Sequence, residues 1–153
     1  WLTTLKTCAE ESNFELLITT SRRTDPEINS IVKEELSQHP LTKLLVIANE
    51  FNLENVTYGM LALTDMVLVT EDSISMISEA VSAGKAVLVM QMGNGKLPKK
   101  HSRFHELLES NALVSRADAS NFRTKLSSLS GTTNGSVTER QSKLIQEALR
   151  KLI

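Results

Sequence analysis

Polar side chains with the chemistry of a phosphate site follow the apolar segment 66–70. Glu71, Asp72, Ser73 and Ser75 lie at the junction between this segment and a helical pattern. Free backbone N–H groups and the positive end of a helix dipole attract anions, and serine hydroxyls can donate hydrogen bonds to phosphate oxygens. The junction therefore predicts the binding of a phosphate or a diphosphate.

The carboxylates of the same segment leave alternatives open. Asp72 favours a helix N-terminus but repels a phosphate, so we interpret it as a cap, a ribose or sugar ligand, or a metal ligand. Glu79 lies four residues after Ser75, and its two acceptor oxygens suit the vicinal hydroxyls of a ribose. The plainer alternatives are a capping role for Ser73 and Ser75 and a solvated helical position for Glu79.

A second group of candidate side chains follows the apolar segment 14–20. Ser21, Arg22, Arg23 and Thr24 form the stretch SRRT. The planar fork of arginine binds phosphate oxygens bidentately, and two arginines facing one diphosphate would stabilise a leaving nucleoside diphosphate. A solvated charge pair is the alternative.

Two histidines, His101 and His105, have the four-residue spacing of a metal-binding pair on a helix. No third ligand accompanies them, so we predict no metal site and expect both rings near the surface. The sequence also contains neither GxGxxG nor GxxxxGK[ST], which argues against the dinucleotide-binding fingerprint and the P-loop of NTPases.

The elements that would position these residues alternate between strand and helix. The strands are continuous apolar runs, which is typical of a parallel sheet covered on both faces. Ligands bind beyond the carboxyl ends of such strands, where both candidate loops are expected. Strands are predicted at 14–20, 43–48, 66–70, 86–90 and 112–116, and helices at 26–38, 55–64, 74–83, 102–111, 119–129 and 137–153, with a loop at 130–136.

Length and composition narrow the class of protein. The 153 residues fit one domain, 1–153, and the net charge of −1 with 4% aromatic residues predicts no nucleic-acid partner. A lone cysteine, Cys8, favours a reducing, cytoplasmic location, and no apolar run approaches the ~20 residues of a membrane span. Because the chain starts at Trp1 inside a helical pattern, we expect a piece of a longer protein.

The motifs ITTSRRT and VTEDSISMISEA together resemble the mitochondrial-fission "elongated mitochondria" family and its bacterial relatives. The resemblance covers nearly the whole chain, as the C-terminal half of that family. It implies a three-layer Rossmann-like α/β domain similar to the C-terminal domain of GT-B glycosyltransferases, facing its own N-terminal domain. Bacterial members have been labelled predicted nucleoside-diphosphate-sugar epimerases, and eukaryotic members recruit a dynamin-related protein in organelle division.

A more distant resemblance concerns the segment DSISMISEAVSAGKAVLV. It is similar in layout to the donor-binding segment of the N-acetylglucosaminyltransferase of peptidoglycan synthesis. That resemblance implies that Ser73, Ser75 and Met76 approach the diphosphate and that Glu79 holds the ribose. SRRT takes the place of that enzyme's first glycine-rich loop, with arginines where the enzyme has glycines.

These observations lead to one expected function and two alternatives. We expect the nucleotide-diphosphate-sugar-binding half of a GT-B-type glycosyltransferase-like protein, with no metal or cofactor required and no catalytic residue identified. The alternatives are a metal-free nucleoside-diphosphate-sugar epimerase and a non-catalytic adaptor that recruits a protein partner, so enzymatic activity is left open. The expected location is cytoplasmic, with peripheral membrane association of the intact protein as the alternative.

Overall fold

A computed structural model of the chain describes residues 1–51, 55–93, 97–129 and 146. The described residues fall into two compact units, Trp1–Leu63 and a second unit that starts at Thr64. Each unit is an α/β structure with parallel strands, which confirms the predicted fold class. The assignment of 1–153 to one domain stays a prediction, and the predicted loop 130–136 and nearly all of helix 137–153 lie outside the described residues.

The first unit contains two parallel strands and three helices. Strands β1 and β2 pair from Leu16 with Thr42 to Thr19 with Val46, and α2 contacts β2. The elements are α1 (Leu2–Ser12), β1 (Leu16–Thr19), α2 (Pro26–Leu36), β2 (Thr42–Val46) and α3 (Val56–Leu63). Helix α2 starts where Asp25 Oδ1 accepts a hydrogen bond of 2.8 Å from the Glu27 N–H, with Pro26 in the first turn.

The described part of the second unit contains three parallel strands in the order β3-β4-β5. Helix α4 contacts β3 and β4, and α6 contacts β4 and β5. The elements are β3 (Met66–Thr70), α4 (Ile74–Ser82), β4 (Ala86–Met90), α5 (Lys99–Ser110), β5 (Ser115–Ala117) and α6 (Phe122–Leu129). No helix within the described ranges is long and apolar enough to cross a membrane.

The central strand β4 is covered on both faces. Its residues Ala86, Val87, Leu88 and Val89 are each at most 1% exposed. Successive strand residues point to opposite faces, so burial of all four requires packing above and below the sheet. This is the buried parallel arrangement that the continuous apolar runs predicted.

Helices α4 and α5 end in the same hydrogen-bonded motif. After α4, Gly84 has a φ of 72°, its N–H donates to the Val81 carbonyl, and the Lys85 N–H donates to the Ala80 carbonyl. This is a Schellman motif, and it ends the helix that was predicted at 74–83.

After α5 the left-handed position of the motif is taken by an alanine. Ala112 has a φ of 55°, and the Leu113 N–H donates to the Leu108 carbonyl at 2.9 Å. Leu113 and Val114 are buried in the connection rather than in a strand, and β5 starts at Ser115. The strand predicted at 112–116 is therefore shifted toward the C-terminus.

Candidate functional site

The start of α4 leaves backbone donors without acceptors among the residues that the structure describes. The Ser73 N–H donates to the Thr70 carbonyl at 3.0 Å, which turns the chain sharply at the end of β3. Intrahelical bonding then begins with the Ile77 N–H, which donates to the Ser73 carbonyl at 3.0 Å. The N–H groups of residues 74–76 precede that bond and have no intrahelical partner.

Ser73 occupies the N-cap position of α4 but does not cap the helix with its side chain. Its hydroxyl lies 3.3 Å from the Thr70 hydroxyl, and the residue is 9% exposed. Ser75, the other predicted capping residue, is an exposed residue of the first helical turn. The donors of α4 are therefore left for another acceptor, as an anion site requires.

The remaining predicted ligands of this segment lie on or beside the first turns of α4. Asp72 is exposed, Met76 and Glu79 are half-buried, and Glu79 stands one turn after Ser75 on the same side of the helix. The described part of the chain contains no group of three His, Cys, Asp or Glu residues that could hold a metal ion. The three interpretations of Asp72, as a cap, as a ribose or sugar ligand and as a metal ligand, stay predictions.

Glu71 joins the loop after β3 to the loop after β4. Its N–H donates to the Met90 carbonyl at 3.0 Å, and its Oε1 accepts a hydrogen bond of 2.9 Å from the Met92 N–H. The carboxylate therefore satisfies a main-chain donor of the neighbouring loop. Of the acidic pair, Asp72 alone is left exposed beside the helix.

His105 supports the same loop from helix α5. The ring is fully buried, and its Nε2 lies 2.7 Å from the Glu71 carbonyl oxygen. A carbonyl oxygen can only accept, so Nε2 carries the proton. Burial lowers the pKa of His105, and the bond to the Glu71 carbonyl opposes this. The expectation that His105 lies near the surface is therefore wrong.

The contacts of Glu71 and His105 were not predicted from the sequence, although one signal was present. His105 falls between Phe104 and Leu108, two apolar residues at helical spacing that are 2% and 1% exposed. A histidine adjoining such an apolar face is a candidate buried histidine, which needs a hydrogen-bond partner. The partner itself is 34 residues away, so no local pattern identifies it.

The SRRT segment forms a tight turn in the first unit. The Ser21 N–H donates to Thr24 Oγ1 at 3.0 Å, the Arg23 N–H donates to Ser21 Oγ at 3.1 Å, and the Thr24 N–H donates to the Ser21 carbonyl at 3.0 Å. Ser21 and Thr24 therefore shape the turn with their side chains.

The two arginines of the turn are exposed to solvent. Among the described residues, no ion pair or hydrogen bond engages the guanidinium group of Arg22 or Arg23. Asn49 Nδ2 lies 3.4 Å from the Arg22 carbonyl, which fixes the main chain of the turn. Both guanidinium groups are available to an anion.

The family model for mitochondrial fission ELM1 matches residues 1–143, which includes both motifs described above. No curated protein and no solved structure was matched.

Proposed function

The chain belongs to the mitochondrial fission ELM1 family, as its two motifs predicted, and we propose that it binds a nucleoside diphosphate sugar at the start of α4. The observation that carries the proposal is the uncapped N-terminus of α4 beyond the carboxyl end of β3, the position at which parallel sheets bind ligands. By the resemblance described above, the chain would be the donor-binding half of a GT-B-type glycosyltransferase-like protein.

Each predicted ligand has a distinct chemical role in this proposal. The N–H groups of residues 74–76 donate to the diphosphate, and the exposed Ser75 hydroxyl adds a fourth donor. Glu79, one turn along the same side of α4, accepts from the ribose hydroxyls. Asp72 would repel a bare phosphate but suits the hydroxyls of the sugar.

The turn of the first unit supplies positive charge for the same class of ligand. Arg22 and Arg23 carry exposed guanidinium groups, which can bind phosphate oxygens at this turn. The proposed reaction class is glycosyl transfer, with the acceptor site and any general base contributed by an N-terminal domain of the intact protein. A metal-free epimerase of the same fold would use the same donor site.

A titration with nucleotides tests the proposal. The chain is titrated with UDP, GDP, CDP and their common sugar conjugates, and binding is followed by calorimetry and by backbone NMR. We expect one nucleotide to bind with sub-millimolar affinity and to shift the amides of residues 74–76. Glu79→Ala should weaken this binding by about tenfold, because it removes a charge-assisted hydrogen bond, and Arg22→Ala should weaken phosphate binding at the turn of the first unit by a similar factor.

Two charge-matched variants serve as controls for this titration. Glu34→Ala removes a negative charge from the exposed side of α2, and Lys43→Ala removes a positive charge near the amino end of β2. Both should bind nucleotide as the wild-type chain does. Binding that none of the four variants alters, or no binding by either the chain or the intact protein, would contradict the proposal.

A second candidate function is the adaptor, which exposed apolar side chains of the first unit favour. Among the described residues, the large apolar side chains that are exposed all belong to this unit: Ile28, Ile31, Leu44, Phe51, Tyr58 and Leu63. Tyr58 is 62% exposed and Phe51 is 68% exposed. Exposed aromatic residues are enriched where proteins bind one another.

Direct binding to a purified dynamin-related protein, the partner that the resemblance implies, tests the adaptor. Phe51→Ser and Tyr58→Ser should each weaken the complex by about tenfold if these rings are buried on binding. Ala62→Ser, an exposed change in the same helix as Tyr58, should have no effect. A complex of unchanged affinity in both aromatic variants would exclude this surface.

A further inference from the structure

The peptide that joins Glu71 to Asp72 is fixed by a buried donor. His105 is 0% exposed, and its Nε2–H donates to the oxygen of this peptide at 2.7 Å. The N–H of Glu71 and its carboxylate are also engaged, by the Met90 carbonyl and the Met92 N–H. The N–H, the carbonyl oxygen and the Oε1 atom of Glu71 are therefore each hydrogen-bonded within the protein.

The orientation of this peptide decides where the Asp72 N–H points. A trans peptide is planar, so its N–H and its carbonyl oxygen point in opposite directions. With the oxygen held against the buried imidazole, the Asp72 N–H faces away from it. This N–H has no acceptor among the described residues, and Asp72 lies two residues before the first of the donors at the start of α4.

We propose that His105 is a positioning residue for anion binding at the start of α4. By holding the Glu71 carbonyl, it directs the Asp72 N–H outward as a further donor to a phosphate oxygen. Without the imidazole N–H, the peptide can rotate and withdraw this donor. The proposal rests on the function proposed above, because it assumes that the loop receives a phosphate.

Substitutions of His105 separate positioning from a general contribution to stability. His105→Gln keeps an N–H donor near the position of Nε2, whereas His105→Phe fills a similar volume without a donor. His39→Phe is the matched control, because the His39 side chain is 7% exposed and belongs to the first unit. All four proteins, wild type included, are titrated with UDP, GDP and CDP and examined by backbone NMR.

We expect nucleotide affinity to fall by about tenfold in His105→Phe, the effect of one lost hydrogen bond to a charged ligand. His105→Gln and His39→Phe should bind as the wild type does, and the Asp72 amide should shift only in His105→Phe. Wild-type affinity in a folded His105→Phe protein would overturn the positioning role while leaving the proposed function intact.

Two measurements need no nucleotide binding. If the wild type binds none of the nucleotides but the Asp72 amide still shifts in His105→Phe, the loop is held as proposed and the proposed function fails. An unmoved Asp72 amide overturns the positioning role. If His105→Phe does not fold, the ¹⁵N shifts of the wild-type imidazole decide, since a ring protonated at Nδ1 instead of Nε2 contradicts the proposal.

Discussion

The buried imidazole of His105 is surrounded by groups from three elements. Glu71 faces it from the loop after β3, Arg116 from β5, and His101 from one turn earlier in α5. Burial is the largest influence on its pKa and lowers it, and Arg116 acts in the same direction. The hydrogen bond to the Glu71 carbonyl opposes these effects without cancelling them.

The lowered pKa makes stability depend on pH in a defined window. The unfolded chain binds a proton below a pH of about 6.5, while the folded ring resists it, so the free energy of unfolding falls as the pH decreases below 6.5. His105 makes its full contribution to the free energy of unfolding above pH 6.5, and no further stability is lost below the pKa of His105 in the folded protein. His105→Gln should remove this part of the pH dependence in urea unfolding. An identical pH profile for both proteins would contradict it.

Glu71 provides a second prediction at the scale of one side chain. Its carboxylate accepts from the Met92 N–H at 2.9 Å, and Glu71→Ala leaves that donor without its partner. We expect a loss of about 1 kcal/mol in the free energy of unfolding. Glu71→Gln retains a carbonyl acceptor and should lose much less. Chemical denaturation of the two variants measures the difference, and equal losses would show that the acceptor is unimportant.

At the scale of elements, the ends of α4 and α5 form a matched pair. Both use a Schellman motif, with Gly84 in one left-handed position and Ala112 in the other. Glycine adopts this conformation without the Cβ conflict that alanine suffers. Gly84→Ala should lower the free energy of unfolding by about 1 kcal/mol, and Ala112→Gly should raise it by about 0.5–1 kcal/mol. Thermal and urea unfolding test both signs, and a stabilising Gly84→Ala would refute the argument.

The same pair explains which elements could be predicted. Strand β3, the end of α4 and strand β4 follow from apolar runs and a glycine at the helix end, and all three were found where predicted. Before β5 the sequence has no glycine to indicate the end of α5, because Ala112 takes the left-handed position that glycine usually occupies. The apolar residues Leu113 and Val114 were therefore assigned to the strand instead of to the connection.

Some features of the candidate site could likewise be predicted from the sequence, and others could not. Local patterns predicted the position of Ser73 at the start of α4, because a strand followed by a helical spacing fixes it. The direction of its hydroxyl, toward Thr70, was not predictable. A serine hydroxyl can hydrogen-bond either to the N–H groups of the following helix or to a side chain at the end of the preceding strand, and the sequence does not distinguish the two. The bond from His105 to the Glu71 carbonyl depends on tertiary packing, which a single sequence does not encode locally.

At the scale of the whole molecule, the two units differ in how deeply their side chains are buried. Of the largest fully buried side chains in the described residues, Leu36 alone comes from the first unit. The others include Ile77, Leu88 and Phe122 of the second unit. Dense apolar burial raises the free energy of local opening, so the second unit should open less readily.

Hydrogen exchange tests this difference between the units. Amides of β4 should exchange more slowly than those of β2, because β4 is buried on both faces while Leu44 of β2 is 38% exposed. Leu88→Ala should accelerate exchange throughout the second unit, since truncation of a fully buried leucine costs about 2–5 kcal/mol. Equal protection of the two strands would contradict this assignment.

The short connection between the neighbouring strands β3 and β4 has a consequence for the order of folding. The two strands are neighbours in the sheet and follow each other in the chain, separated by α4 alone. Closing this short connection costs less chain entropy than closing a long one, so the β3-α4-β4 segment can form an early nucleus. Val87→Ala should then slow refolding, whereas Leu126→Ala in α6 should mainly accelerate unfolding, which stopped-flow kinetics would resolve.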